Sequence, residues 1–122
     1  MANIDEALRE SEERYRTLFE QSPVGVFLFD RTLRVTACNA TFATIMRSPA
    51  ERLVGLDLRS LPNPPLIAAL ELTLQGKTRR YEGRYTTTLS QVDLALSVRL
   101  APLRDGRGAI VGGLAKVSHD VL

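Results

Sequence analysis

The sequence lacks the residues from which many catalytic and metal sites are built. It has no tryptophan, one cysteine (Cys38) and one histidine (His119). A single cysteine forms no internal disulfide and no multi-cysteine metal site, and a single histidine builds no histidine-rich zinc site. No apolar run approaches the roughly 18–20 residues that a membrane-spanning helix needs, and the polar N-terminus does not resemble a signal peptide. We therefore expect a cytoplasmic protein without a metal site and without direct membrane insertion.

Length and composition describe one ordinary globular domain. The chain has 122 residues, of which 44% are hydrophobic and 25% are charged, and these proportions argue against disorder. Residues 1–21 carry six acidic and three basic side chains, a net charge of −3, whereas residues 22–122 carry eight acidic and 13 basic ones, a net charge of +5. This bias is too mild to indicate a nucleic-acid partner. The chain ends at Val121-Leu122 without a polar tail, so we expect a fragment of a longer protein.

The first 22 residues have the pattern of an amphipathic helix. Asn3 and Glu6 form a capping-box pair, and Pro23 disfavours helix at the residue before it. Between these ends lie positions in heptad spacing, two of them polar: Ile4, Leu8, Ser11, Tyr15, Leu18 and Ser22. Such spacing is typical of helices that pair. Two interpretations stay open, a helix packed on its own domain and a dimerisation helix whose contacts are Ile4, Leu8, Tyr15 and Leu18.

Two hydrophobic periods alternate along the rest of the chain. Apolar runs predict strands at 24–29 and 34–38, and capping signals predict three helices, which begin at the N-caps Asn39, Ser48 and Asn63. As a simple N-cap, Asn39 should tolerate replacement by Asp. Gly55 and Gly76 follow the second and third of these helices. Period-two patterns then predict strands at 79–89, 92–100 and 109–118. The order predicts an α+β fold, an antiparallel sheet with helices on one face.

Short motifs in a consistent order resemble those of the PAS sensory domain family, over nearly the whole chain. They are SEERYRTLFEQSPVGV at 11–26, Asn39-Ala40-Thr41-Phe42, Leu53-Val54-Gly55, Asp105-Gly106, Ile110-Val111-Gly112 and Asp120-Val121-Leu122. Each motif is short, and it is their sequence along the chain that carries the resemblance. Leu122 departs from the pattern, because the family has threonine at that position of its Asp-Ile-Thr motif.

The resemblance implies a specific fold and role. The fold is a five-stranded antiparallel sheet in the order 2-1-5-4-3, with helices on one face and a flanking N-terminal helix. The implied organisation is a signalling and dimerisation helix at 1–22 followed by a PAS domain at 23–122. Such bacterial domains sit upstream of a histidine kinase or a cyclic-dinucleotide enzyme. We therefore expect a sensory or relay domain that is not an enzyme, whose partners are a second copy and the C-terminal effector domain of the parent protein.

The resemblance also bears on cofactors. Flavin-binding LOV members of the family carry Asn-Cys-Arg-Phe-Leu-Gln, which this chain lacks, and we interpret Cys38 as a small buried hydrophobic residue. Haem-binding members place a histidine on the long helix, but the segment 65–75 has none. We expect no cofactor, and the sequence disfavours both haem and flavin.

Any ligand should be small and largely apolar. Candidate ligand-binding residues on the long helix and the sheet are Leu66, Ile67, Leu70, Leu94, Leu96 and Val98. Tyr85 is a polar candidate at the rim, and it shares a strand parity with Tyr81 and Thr87. The alternative is that these side chains fill an ordinary core, in which case the domain is a ligand-free dimerisation and relay module.

Overall fold

The computed structural model describes residues 2–87 and 91–121, and side-chain surroundings for 5–87 and 91–119. Its helices are α1 (Ala2–Glu20), α2 (Ala40–Met46), α3 (Ala50–Leu53) and α4 (Pro64–Leu74), with a 3₁₀ turn at Leu58–Ser60. Its strands are β1 (Gly25–Asp30), β2 (Val35–Cys38), β3 (Arg79–Thr86), β4 (Asp93–Arg104) and β5 (Ile110–Val121). The five strands form one antiparallel sheet in the order β2-β1-β5-β4-β3, which confirms the predicted topology.

Alternation along β4 separates the two faces of the sheet. Leu94, Leu96, Val98 and Leu100 are buried on one face, which we call the inner face, and the residues between them are half-buried or exposed. The inner face packs against α2, α3, the 3₁₀ turn and α4, and together these elements enclose the hydrophobic core. The opposite, outer face carries polar and half-buried side chains, together with Val26 of β1, which is buried. Because strand neighbours point to opposite faces, the period-two pattern is sufficient to place the core.

The long helix α4 begins and ends where its capping residues predict. Asn63 accepts a hydrogen bond from the backbone N–H of Leu66 at 3.3 Å, and Pro64 occupies the first turn. The helix is followed by Gly76, whose φ of 96° lies in the left-handed region that glycine adopts without strain. These ends orient α4 so that Leu66 and Leu70 face the sheet.

Two predicted caps are wrong. The helix α1 begins at Ala2, so Asn3 lies inside it rather than at its N-cap. The N-cap of α3 is Pro49 and makes no side-chain cap bond. Ser48 precedes this cap, and its hydroxyl instead donates to the Met46 carbonyl at 3.3 Å.

Several element boundaries also differ from the predictions. The strand β3 ends at Thr86, whereas the prediction ran to Leu89, which lies outside the described residues. The strand β4 continues to Arg104, and β5 runs from Ile110 to Val121 rather than from 109 to 118. The 3₁₀ turn has no counterpart in the prediction. Alternation weakens towards the C-terminal ends of β4 and β5, so the hydrophobic pattern underestimates the length of these two strands.

Candidate functional site

A cavity lies between the helical layer and the inner face of the sheet. The centre of a water-sized sphere can move within it over about 40 Å³. One water molecule needs roughly 10–15 Å³ on this measure, so the space accommodates only a group of a few non-hydrogen atoms. Its lining residues are Phe27, Val35, Phe42, Met46, Ser48, Leu53, Leu56, Leu58, Leu61, Leu66, Tyr85, Thr87, Leu96, Val98 and Val117.

Four of the seven predicted ligand-binding residues line this cavity, namely Leu66, Tyr85, Leu96 and Val98. The other three do not. Leu70 and Leu94 are packed in the core with 0% and 1% of their surface exposed. Ile67 is half-buried and lies one residue around α4 from the buried Leu66, so it is turned away from the cavity. Helical spacing alone does not distinguish the cavity wall from the adjoining solid core.

Sequence reasoning missed the part of the cavity wall that comes from the short helices. These residues include Phe42 and Met46 on α2, Leu53 on α3 and Leu58 in the 3₁₀ turn. A signal for them was available, because Phe42 and Met46 are four residues apart and share one helix face. The elements are only a turn or two long, however, and such short periodic segments do not reveal which element lies opposite.

Three polar side chains, Ser48, Tyr85 and Thr87, interrupt the otherwise apolar wall. The side chains of Tyr81, Tyr85 and Thr87, which share one strand parity, therefore lie on the inner face. Thr87 has 1% of its surface exposed. Tyr81 accepts a hydrogen bond from the Asn63 amide nitrogen at 2.8 Å, which ties β3 to the start of α4. An entering molecule would meet hydroxyl groups at a few points of an aliphatic surface.

Asn39 links the N-terminal helix to the core. Its Oδ1 accepts from the backbone N–H groups of Phe42 and Val26, both at 2.9 Å. Its Nδ2 donates to the carbonyls of Phe19 at 2.9 Å and of Val24 at 3.1 Å. The predicted N-cap is confirmed, but it is only one of four bonds, which together use the full capacity of the amide. The side chain is completely buried, with 0% exposed, and it joins α1, β1 and α2.

A second bond reinforces this joint. The hydroxyl of Thr41 donates to the Ser22 carbonyl at 2.7 Å, so the first turn of α2 also holds the segment that follows α1. Gly25 completes the close approach, since a Cβ there would come within 3.1 Å of the Phe42 backbone. We call Asn39 and Thr41 the α1 joint.

The helix α1 leaves the core after this joint. Every described side chain from Asp5 to Leu18 is exposed. The exposed fractions of Leu8, Tyr15 and Leu18 are 58%, 51% and 70%, unusually high for large apolar side chains in helical register. Ile4 belongs to the same predicted stripe, but its side chain lies outside the described residues. Within a single chain, α1 therefore does not bury its apolar stripe against its own domain, and the interpretation that it does so is wrong.

The remaining motif residues have structural roles. Gly55 has a φ of 92° after α3 and donates to the Val35 carbonyl at 2.7 Å. Asp105 accepts from the backbone N–H groups of Arg107 and Ala109 in the β4–β5 turn. Gly112 pairs with Asp30, and a Cβ there would collide with the Phe29 carbonyl oxygen. Asp120 lies opposite Ala95 in the β5 ladder, and its side chain lies outside the described residues.

The structure places Cys38 at the end of β2, buried as predicted. Burial raises the pKa of its thiol, and the nearby charges of Glu20 and Glu51 act in the same direction. Within the part of the chain that the structure describes, no three histidine, cysteine, aspartate or glutamate side chains come together as a metal site. Among the same residues no helix is long and apolar enough to span a membrane. His119 is exposed near the end of β5.

Comparison with known proteins adds to this geometry. The family model described as "PAS fold" matches residues 19–122. The chain belongs to the PAS fold family. A two-component sensor, PprA of Pseudomonas aeruginosa, is 39% identical over 72 residues, which are 59% of this chain and 8% of that protein. The chain thus spans only a small part of that relative's length.

Solved PAS structures share the fold at low sequence identity. The PAS domain of an HTR-like protein from Haloarcula marismortui has a TM-score of 0.76 and 18% identity, covering 98% of this chain and 100% of that one. The PAS domain, in complex with ethanol, of a LuxR-family transcriptional regulator from Burkholderia thailandensis has a TM-score of 0.67 and 17% identity, covering 86% and 96%. A light-oxygen-voltage domain studied with a flavin analogue has a TM-score of 0.71 and 16% identity, covering 88% and 84%.

These findings confirm the predicted family and fold. The PAS family and the two-component sensor relative support a sensory signal-transduction domain. PAS domains are generally sensory, non-catalytic modules. They commonly dimerise and link to effector domains.

Proposed function

We propose that this PAS domain is a sensory input and relay module of a larger bacterial signalling protein, and that it acts as a homodimer held together through α1. The observation that carries the proposal is the exposed apolar stripe on α1, which remains joined to the core through Asn39. The stripe is the set Leu8, Tyr15 and Leu18, continued in sequence by Ile4. Burying these side chains against a second copy removes apolar surface from water, and a helix of this length is marginal alone.

The relay follows from the position of the joint. Asn39 contacts β1 and α2, both of which contribute cavity-lining residues, and it holds the last turn of α1 through the Phe19 carbonyl. A change in the core that moves β1 against α2 alters the direction in which α1 leaves the domain. A dimer that depends on α1 then shifts its population towards another arrangement.

Sedimentation equilibrium on the full chain tests the dimer. Leu8→Glu combined with Leu18→Glu should convert the dimer to monomer, because it places charges in the stripe. Val111→Glu is the matched control, since Val111 is also an exposed apolar residue, at 48%, but lies on β5. A wild-type monomer, or equal loss of dimer in both variants, would contradict the proposal.

A small ligand in the cavity is the sensory part of the proposal. The cavity's size and its three hydroxyl groups suit a short alcohol-like molecule, and the ethanol complex of the Burkholderia PAS domain supports this chemistry by analogy. Ethanol and n-butanol titrated into the full chain should shift the NMR signals of Ser48, Tyr85 and Val98. Val98→Ile, which adds one methylene to the wall, should weaken the effect.

The alternative is a ligand-free dimerisation and relay module, favoured by the small volume of the cavity. Native mass spectrometry of the protein purified without denaturation distinguishes the two. A stoichiometric added mass supports the sensor, whereas its repeated absence, with no response to the alcohols, supports the ligand-free module. The proposal also includes a division between helix and PAS domain at residues 22 and 23, and a cytoplasmic location. We propose a histidine kinase or a cyclic-dinucleotide enzyme as the effector. The absence of haem and flavin is another part of the proposal.

A further inference from the structure

Three basic side chains stand side by side on the outer face of the sheet. Arg80 on β3 is directly opposite Arg99 on β4, and Arg99 is directly opposite Lys116 on β5. All three are exposed. We call them the basic row. Like charges in directly paired positions destabilise a sheet, so the row has an energetic cost that an acidic partner would offset.

The charges of the basic row are only partly compensated within the chain. Arg80 forms an ion pair with Glu82 at 2.7 Å. Arg99 and Lys116 form no ion pair with any side chain that the structure describes. Their neighbours along β4 and β5 on the same face are Ser97 and Ser118, which are neutral. The uncompensated end of the row is therefore the part on β4 and β5.

An apolar row runs beside the basic row. Leu28 on β1 is opposite Leu114 on β5, and Leu114 is opposite Ala101 on β4. These side chains are half-buried, and Leu114 and Ala101 lie two residues along their strands from Lys116 and Arg99. The outer face thus presents an apolar strip flanked on one side by positive charge.

The helix α1 has the complementary pattern. Asp5 is three residues before Leu8, and Glu12 is four residues after Leu8 and three before Tyr15. Both acids therefore flank the apolar stripe on one side of the helix. They are seven residues apart, which corresponds to about 10.5 Å of helix. Arg80 and Lys116 are separated by two strand spacings, about 9.6 Å. A helix that crosses the strands can thus place its two acids over the ends of the basic row.

The chain's own α1 does not occupy this position. Tyr15 and Phe19 line a groove with Thr36, Ala37 and Cys38, so this part of α1 lies beside β2, at the edge of the sheet away from β3. Its residues from 5 to 18 are exposed. An acidic helix on the basic row must then come from another molecule, and α1 of a second copy is the segment on hand with both an apolar stripe and flanking acids.

We propose that in the homodimer α1 of each protomer packs across the outer face of its partner's sheet, with its stripe on the apolar row and Asp5 and Glu12 at the basic row. This inference rests on the proposed function, and it specifies what the stripe contacts. It favours a protein partner over nucleic acid, since Glu82 forms an ion pair with Arg80 beside the row and the neighbouring strip is apolar.

The test is a charge-swap experiment on the full chain, read as the dimer dissociation constant by sedimentation equilibrium. Arg80→Glu with Lys116→Glu, at the two ends of the row, should raise the dissociation constant at least tenfold. Adding Asp5→Lys and Glu12→Lys to that variant should restore it to within about threefold of wild type. Arg52→Glu with Arg107→Glu is the control, because it changes the net charge equally at exposed sites elsewhere, and it should have little effect. Circular dichroism confirms that each variant is folded.

The outcomes separate this inference from the proposed function. If the wild-type dimer needs Leu8 and Leu18 but the sheet variant associates like its control, the helix-on-sheet contact is wrong and the α1 dimer stands. If the sheet variant loses the dimer and the swapped α1 does not restore it, the pairing with Asp5 and Glu12 is wrong. If the row instead binds duplex DNA while dimerisation is unaffected by its reversal, the inference is overturned. A wild-type monomer overturns both proposals.

Discussion

Asn39 is the residue on which three elements depend. An N-cap interpretation accounts for one of its bonds, the one from Phe42, and would allow aspartate in its place. The structure adds two donated bonds, to Phe19 and Val24, which only the amide can make. The expectation that Asn39→Asp is mild is therefore revised.

Asn39→Ala should lower the free energy of unfolding by about 1–3 kcal/mol, because buried backbone groups lose their partners. Asn39→Asp should be at least as destabilising at neutral pH, since a buried carboxylate would face two carbonyl oxygens at hydrogen-bond distance. Urea unfolding monitored by circular dichroism measures both. Wild-type stability for the aspartate variant would show that the donated bonds contribute nothing.

Asp30 gives stability a defined pH dependence. Its carboxylate accepts from the hydroxyl and N–H of Thr32 and from the N–H of Arg34, at 2.6, 2.9 and 3.1 Å. The Thr32 hydroxyl bond is the largest cause that lowers the pKa of Asp30; burial opposes it, and the two backbone N–H bonds lower the pKa further. Because the folded-state pKa is below the unfolded one, the carboxylate stabilises the fold above the unfolded pKa of about 3.9, and this contribution is lost as the pH falls through the folded pKa.

Asp30→Asn should therefore destabilise the protein at pH 7 and make little difference at strongly acidic pH. The measurement is the urea midpoint of both proteins from pH 7 down to about pH 2. The gap between the two curves should narrow only below roughly pH 4, where the carboxylate becomes protonated. A gap that stays constant over the whole range would contradict an electrostatic role.

Among the elements, β4 was the most predictable and the short helices the least. The alternation of Leu94, Leu96, Val98 and Leu100 is a purely local signal, and it correctly predicted which side chains of β4 are buried. The parity of β3 could not be obtained in this way, because Tyr81 and Tyr85 alternate with charged residues yet remain only half-buried at the sheet edge. The path of α1 was also beyond the sequence, since its stripe fits packing within or between chains equally well.

Leu96→Ala tests the inner face directly. Leu96 is 6% exposed and lines the cavity, so truncation removes buried surface and enlarges the space. The expected loss is about 2–5 kcal/mol. Ser97→Ala, one residue along on the outer face, is the control and should change stability by less than about 0.5 kcal/mol. Equal effects in the two variants would mean that the strand is turned over.

At the scale of the whole molecule, the structure combines a packed PAS core, a small cavity and a helix that leaves the core with its apolar side exposed. The α1 joint connects the last two. Asn39 and Thr41 hold the chain on both sides of the turn that follows α1, at the Phe19 and Ser22 carbonyls. The relay therefore requires that the α1 joint influences how α1 associates.

The dimer dissociation constant of joint variants, measured by sedimentation equilibrium, tests that requirement most directly. Neither Asn39 nor Thr41 belongs to the exposed stripe, so neither should matter to a dimer that ignores the core. Asn39→Ala and Thr41→Val should each change the dissociation constant severalfold while both proteins remain folded. Leu100→Val, a change in a fully buried side chain on β4 away from the joint, should leave it unchanged. Identical dissociation constants for all four proteins would contradict the relay.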